Sequence, residues 1–328
     1  MKDYKTHYNK LLRQVEDLLD KYIPDREPNI LYEPFRYIVS GGGKRIRPVL
    51  TMLSCGAVGG DAHDAIYAGA AIEIMHNFTL VHDDIMDESP IRRGKKTIHL
   101  KWDEPTAILT GDVMVGYSYK LLENYSSRAQ VAKMYETLTH GLIEVCEGQV
   151  FDMMFNEKKD VSVDDYLLTI RKKTAKILET CVVLGAYAGN ATEKQIAALK
   201  EYALYLGIAF QMQDDVLDLT ADEAALGKHI GQDIIEGKKT WLMIEARKRV
   251  AKPEDKELID RFFTNNGLDE SDIDNVRNIL FDLNIIEDAT NEAQQYFEKA
   301  KLALSPLEHN DYTEMLLWLA DTLNKRKY

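Results

Sequence analysis

The chain has 328 residues, of which 45 per cent are hydrophobic and 29 per cent charged, an ordinary balance for a soluble globular protein. Its formal net charge of −13 argues against nucleic acid as a partner, and no apolar run reaches the roughly 18 residues of a membrane span. Three cysteines, Cys55, Cys146 and Cys181, show no metal-type spacing and suit a reduced, cytoplasmic compartment.

Helical periodicity recurs nearly everywhere, while alternating β-branched runs are scarce. The opening stretch "MKDYKTHYNKLLRQVEDLLDKY" is too charged for a signal peptide and reads as an amphipathic helix, with Leu11, Leu12, Val15, Leu18, Leu19 and Tyr22 on one side. Next comes "GGGKRIRP", a glycine turn beside Lys44, Arg45 and Arg47. It is an anion-binding candidate but no P-loop, because no Ser or Thr follows the lysine and no strand precedes it.

The segment 62–86 is predicted as a long, nearly all-round apolar helix, a central element of a large bundle. It runs into "VHDDIMD", residues 81–87, where Asp83, Asp84 and Asp87 collect although aspartate is a poor helix former and like charges four apart repel. Arg92 and Arg93 follow closely, and guanidinium is well shaped for phosphate. Breaks are expected at 88–105, and Pro105 suits the first turn of the next helix. "SVDD" at 162–165 and "TEKQ" at 192–195 are capping-box patterns before two further helices. The segments 127–154 and 192–218 again look apolar on nearly every side.

The segment 192–218 ends in "FQMQDDVLD", where Asp214, Asp215 and Asp218 repeat the spacing of Asp83, Asp84 and Asp87. Both are D-D-x-x-D after an apolar helical run. On a helix the first and last aspartates of each share a face. Such carboxylates need cations, and magnesium is the natural one, being hard and commonly shared between a few carboxylates and substrate phosphates. If the two helices face each other, six carboxylates bracket a site for metal and diphosphate. Basic clusters at 41–47, 92–96, 171–176 and 237–239, on an acidic chain, add to the case for an anionic small-molecule ligand. His76 lies two helical turns before Asp83 on the same face. No linker divides the chain, so the expectation is one all-α domain over 1–328, a large helical bundle of ten or more helices.

At these residues, from "GGGKRIRP" to "GKHIGQDIIEGKKT", the sequence resembles the trans-isoprenyl diphosphate synthases, the polyprenyl synthetase family that includes farnesyl and geranylgeranyl diphosphate synthases. The resemblance implies an all-α bundle around a central active-site cavity, usually a homodimer, condensing isopentenyl diphosphate with an allylic diphosphate; no membrane anchor is evident in the residues. It implies about three magnesium ions held by Asp83, Asp87 and Asp214, with Asp84, Asp215 and Asp218 completing the motifs. Arg92, Lys173 and Lys238 would grip the allylic diphosphate. Lys44, Arg47, His76 and Arg93 would bind that of isopentenyl diphosphate. Thr174, Gln213 and the Lys173 carbonyl would face the allylic cation, with Gln149, Asp152, Lys228 and Asp233 in support. The basic tail "NKRKY" is matched only by some relatives.

Product length falls to the residues below the first motif. Phe78, five positions before Asp83, sits about 7 Å lower on a helix and is followed by Thr79. One bulky ring there leans toward a twenty-carbon product, with fifteen carbons close behind. The same resemblance leaves two rivals. A terpene cyclase would normally lack the second D-D-x-x-D and the "GGGKRIRP" element. A non-catalytic partner subunit would usually have lost an aspartate or arginine from the motifs, and this chain has lost none.

Overall fold

The computed structural model describes residues 3–221 and 230–325. Among them the chain is helical almost throughout, and the only sheet is a pair of two-residue strands, β1 (Ile91–Arg92) and β2 (Lys95–Lys96), paired antiparallel. The all-α expectation holds. Lys228 and the last three residues of the basic tail lie outside the described residues.

The chain divides into two compact units: Met1–Leu142, Ile177–Lys200 and Ser305–Trp318, and Ile143–Lys176, Glu201–Leu304 and Leu319–Tyr328. In the first, α1 (Tyr4–Tyr22) starts at Asp3, whose carboxylate accepts the Thr6 N–H at 3.0 Å. It buries Leu11, Val15 and Leu19, three of its six predicted apolar positions. After α2 (Asn29–Val39) and α3 (Ile46–Ala57), α4 (Ile66–Met86) is the central helix and packs chiefly on α3 and α6 (Glu104–Leu122). Its run Ala68–Gly69–Ala70–Ala71 is buried and small, which lets neighbouring backbones approach. Asp103 caps α6 through the Thr106 N–H at 2.7 Å, and Pro105 occupies its first turn as expected. Between α4 and α6 lie the β1–β2 hairpin and the short α5 (Ile98–Lys101).

In the second unit, Ser162 and Asp165 form the predicted reciprocal box at the start of α8 (Val163–Ile170). The helix does not pass straight into α9 (Lys176–Ala188): residues Arg171–Ala175 form a π turn. Farther on, Phe262 and Phe263 anchor a core with Leu242, Ile259, Val276 and Leu280. The other predicted box, Thr192 with Gln195 in the first unit, is also made and opens α10 (Glu193–Thr220).

One expectation needs amending. α7 (Arg128–Glu157) is apolar on several faces but not buried on all of them, because Ile143, Val150, Met153 and Met154 are about half exposed. Composition alone cannot tell a helix packed inside a chain from one that keeps a face for something else.

The first unit's aromatic centre gives a test of the packing. Phe35 is fully buried with its ring edge-on to Tyr117 at 5.5 Å. Phe35→Ala is expected to cost about 3–5 kcal/mol of stability, read as a lowered urea midpoint; an unchanged midpoint would mean that this cluster carries little of the fold.

Candidate active site

The first aspartate motif ends α4. Its last carbonyls lack helical partners, and this end of a helix carries partial negative charge. Asp87 is the C-cap, its N–H bonding the Asp83 carbonyl at 2.8 Å. Three carboxylates at that end repel one another and the helix. The structure resolves part of this by turning Asp84 inward, where it is 2 per cent exposed and one oxygen receives Nε and Nη2 of Arg92 at 2.8 and 2.6 Å. Burial pushes the Asp84 carboxyl above its usual range, against the pull of Arg92. Asp83 is half-buried and Asp87 exposed. Arg92 thus serves the motif directly, a partner that its expected phosphate role does not require.

Arg92 belongs to β1, and the tight turn after it puts Arg93 and Gly94 at positive φ, 52° and 73°. That turn delivers Arg93 to the glycine turn of "GGGKRIRP": its Nη1 donates to the Gly42 carbonyl at 2.6 Å. Gly43, at φ 131°, leaves room for the guanidinium, which a β-carbon there would meet at 3.2 Å. Arg45 separates from its neighbours. It is 5 per cent exposed, pairs with buried Glu73 at 2.5 Å and donates to the Val39 carbonyl, a structural role. Lys44 stays exposed, its carbonyl held by the Tyr8 hydroxyl at 2.6 Å. Burial, then the like charges of Arg47, Arg93, Arg92 and Arg45, hold His76 well below the usual imidazole value. Arg47, His76, Arg92, Arg93 and the turn carrying Lys44 therefore make one electropositive region in the first unit.

Phe78 lies lower on α4. It is 9 per cent exposed, its ring 4.7 Å from that of His82, while the Thr79 hydroxyl donates to the His76 carbonyl at 2.8 Å.

The second motif ends α10, in the second unit. Asp214 is half-buried, but Asp215 and Asp218 are buried. Asp215 accepts the Tyr166 hydroxyl at 2.6 Å and the Gln211 amide at 3.0 Å. Burial and, next, the charge of Asp233 push it up to about 8. Asp218 accepts the Asp233 backbone N–H at 3.1 Å. Beside them is a cavity of about 140 Å³ lined by Asp152, Tyr166, Thr169, Lys173, Thr174, Gln211, Asp215, Asp233, Lys238, Lys239 and Thr240, among others. Lys173 pairs with Asp152 at 2.7 Å, and Lys238 with Asp233 and Glu236 at 3.2 and 2.7 Å. The Oε1 of buried Gln149 has no hydrogen-bond partner. Among the described residues no three His, Cys, Asp or Glu side chains converge as a ready-made metal cage.

Gln213 requires a correction. It is buried and does not line this cavity; Gln211 does, accepting the Thr174 hydroxyl at 3.1 Å. Positions two apart on a helix point roughly opposite ways, so only one of the two glutamines can face the cavity. The signal was present, since Gln211 stands four before Asp215. Tyr166 had none, being 49 residues from its partner.

Two outcomes test this geometry. A β-carbon at Gly148 on α7 would fall 2.6 Å from the Lys173 nitrogen and 2.9 Å from its Cα. Gly148→Ala is thus expected to displace the π turn, cost about 1–3 kcal/mol and lower kcat/KM; unchanged kinetics would show that the turn's position does not matter. For His76, the depressed value means that the unfolded chain takes up a proton as pH falls through 6.5 while the folded chain does not. Its contribution to stability is full above that pH and is lost below it. His76→Gln should flatten the fall in unfolding free energy between about pH 7 and pH 5, and parallel profiles would refute the assignment.

Comparison with known proteins converges on one family. A family model described as polyprenyl synthetase matches residues 28–280. The chain is 37 per cent identical over 315 residues to a geranylgeranyl diphosphate synthase of Methanosarcina mazei, covering 96 per cent of this chain and 95 per cent of that one. It is 36 per cent identical over 328 residues to a short chain isoprenyl diphosphate synthase of Methanothermobacter thermautotrophicus, covering 97 and 100 per cent. The crystal structure of a geranylgeranyl pyrophosphate synthetase from Pyrococcus horikoshii superposes with a TM-score of 0.92 at 34 per cent identity, covering 99 per cent of this chain and all of that one. With its two aspartate-ended helices and their cationic partners, this chain belongs to the polyprenyl synthetase family.

Proposed function

We propose that the protein is a geranylgeranyl diphosphate synthase, a prenyltransferase that condenses isopentenyl diphosphate with allylic diphosphates, acting as one polyprenyl synthetase domain. The observation that carries the reading is the doubling: two D-D-x-x-D helix ends, each with its own set of cations. The donors are carboxylate oxygens, which suit magnesium, an ion that takes one or two carboxylates and fills its shell with water and substrate phosphates. Asp83, Asp87 and Asp214, the motif carboxylates that keep contact with solvent, are the residues that would hold it, about three ions in all, with Asp84, Asp215 and Asp218 completing the motifs. Bound magnesium supplies positive charge where the leaving diphosphate gathers negative charge.

The chain's own residues do the rest. Arg92, Lys173 and Lys238 bind the allylic diphosphate and offset the charge that grows as its carbon–oxygen bond breaks. Thr174 and Gln211, joined by their hydrogen bond, and the Lys173 carbonyl present oriented dipoles to the allylic cation. Lys44, Arg47, His76 and Arg93 hold isopentenyl diphosphate, whose double bond forms the new carbon–carbon bond and whose proton leaves to the released diphosphate. Gln149, with its open carbonyl oxygen, and Asp152, Asp233 and Lys228 support these contacts. Phe78 is the floor that stops the growing chain. The exposed apolar residues Ile143, Val150, Met153 and Met154 on α7 suit a homodimer interface. No helix among the described residues is long and apolar enough to cross a membrane, and the enzyme is proposed to work in the cytoplasm.

Incubation with magnesium, isopentenyl diphosphate and dimethylallyl, geranyl or farnesyl diphosphate, with product lengths resolved by chromatography, tests the reading. Expected is a twenty-carbon product that lengthens in Phe78→Ala. A fifteen-carbon stop would make it a farnesyl diphosphate synthase, and no condensation by folded protein from any primer would reject catalysis in favour of a silent partner subunit.

A further inference from the structure

Lys239 is a buried cation that the chemistry above does not use. It is 6 per cent exposed, and its Nζ donates to two neutral oxygens, the Asn156 carbonyl at 2.5 Å and Asn266 Oδ1 at 3.0 Å. Burial alone brings it down to about 8. Such a cost calls for a reason, and the two acceptors supply one. Asn156 lies on α7 four residues after Asp152 and seven after Gln149, hence on the same helix face, and Asp152 pairs with Lys173. Asn266 caps the helix Pro253–Asn265. The connector that carries Lys239 packs against that cap backbone to backbone: a β-carbon at Gly237, whose φ is 70°, would sit 2.1 Å from the Asn266 carbonyl oxygen. The Thr240 N–H bonds back to the Lys238 carbonyl at 2.9 Å, a tight turn centred on Lys239. The two lysine side chains consequently part, Lys238 to Asp233 and Glu236, Lys239 to Asn156 and Asn266.

We infer that Lys239 is a positioning residue: by bolting the Lys238 connector to the end of α7 and to Asn266, it sets the spacing of Lys238 from Lys173 across the cavity they share. A charged donor makes stronger bonds to these oxygens than a neutral one and accepts nothing in return. The inference deepens the synthase reading and rests on it, because the spacing matters only if a diphosphate is gripped there.

The test uses the full chain and two variants. Lys239→Met keeps the stem and removes the donors, while Lys239→Arg keeps charged donors. In Lys239→Met the KM for geranyl diphosphate should rise about tenfold or more, and calorimetric binding of inorganic pyrophosphate with magnesium should weaken in step. The KM for isopentenyl diphosphate should stay within about twofold of wild type, and Lys239→Arg should recover most of the loss. Wild-type pyrophosphate binding and KM in Lys239→Met would overturn the inference. So would an equal loss for both substrates, which marks a general loosening. Should Lys239→Met not fold, Asn266→Gly, which keeps the left-handed cap and removes one acceptor, faces the same two outcomes. Pyrophosphate binding needs no turnover, so a wild type that binds it in a Lys239-dependent way yet makes no product counts against the synthase and for the positioning role.

Discussion

Carboxylates at the negative ends of helices are the constraint on which the rest of this structure turns. α4 and α10 both carry three aspartates in their last turns, where the negative end of the helix dipole already disfavours negative charge. A folded chain has few ways to tolerate that arrangement. It can bury a carboxylate against a donor, keep one in water, or hold one for a cation that arrives with a ligand. The first two are in use here. Asp84 meets Arg92, Asp215 meets Tyr166 and Gln211, and Asp218 meets the Asp233 backbone. Asp83, Asp87 and Asp214 keep their contact with solvent.

The cations face the mirror problem. Arg47, Arg92 and Arg93 lie close enough to depress His76, and Arg93 is itself held below its usual value by burial and then by the charges of Arg45, Arg47 and Arg92. The protein offsets that crowding selectively. Glu73 pairs with Arg45, and the Gly42 carbonyl takes one donor of Arg93. The glycine turn makes the second arrangement possible, because a side chain at Gly43 would crowd the guanidinium. A site with unfavourable charge crowding gains most when a polyanion binds, whereas in the second unit Lys173 and Lys238 are each already paired with carboxylates beside the cavity they line.

Much of this was legible in residue order. Helix starts were readable because caps are local chemistry: Ser162, Thr192 and Pro105 each stand where a first turn needs them. The two aspartate motifs were readable because spacing on a helix fixes a shared face. What was not legible depends on distance along the chain. Nothing near Arg45 announces Glu73, 28 residues on, and nothing near Tyr166 announces Asp215. The β1–β2 hairpin hid inside a stretch read only as a break, since two residues per strand carry no period. The family resemblance points to Gln213, whereas the helical wheel favours Gln211, the residue four back from Asp215.

The identical spacing of the motifs conceals a difference that only packing reveals. In the first, the carboxylates four apart, Asp83 and Asp87, both keep some exposure. In the second, Asp218 is 2 per cent exposed: its side chain takes the Asp233 N–H and its own carbonyl takes the Gly231 N–H at 2.8 Å. That aspartate fastens the chain that leads on to Lys238. The two motifs are therefore buried unequally, two carboxylates in contact with solvent against one. On the proposed reading an Asp87 substitution would remove a charge near the substrate, whereas an Asp218 substitution would also release the connector that leads to Lys238. Sequence symmetry sets where the charges stand along each helix, and the neighbours of each helix decide which of them are buried and which keep contact with solvent.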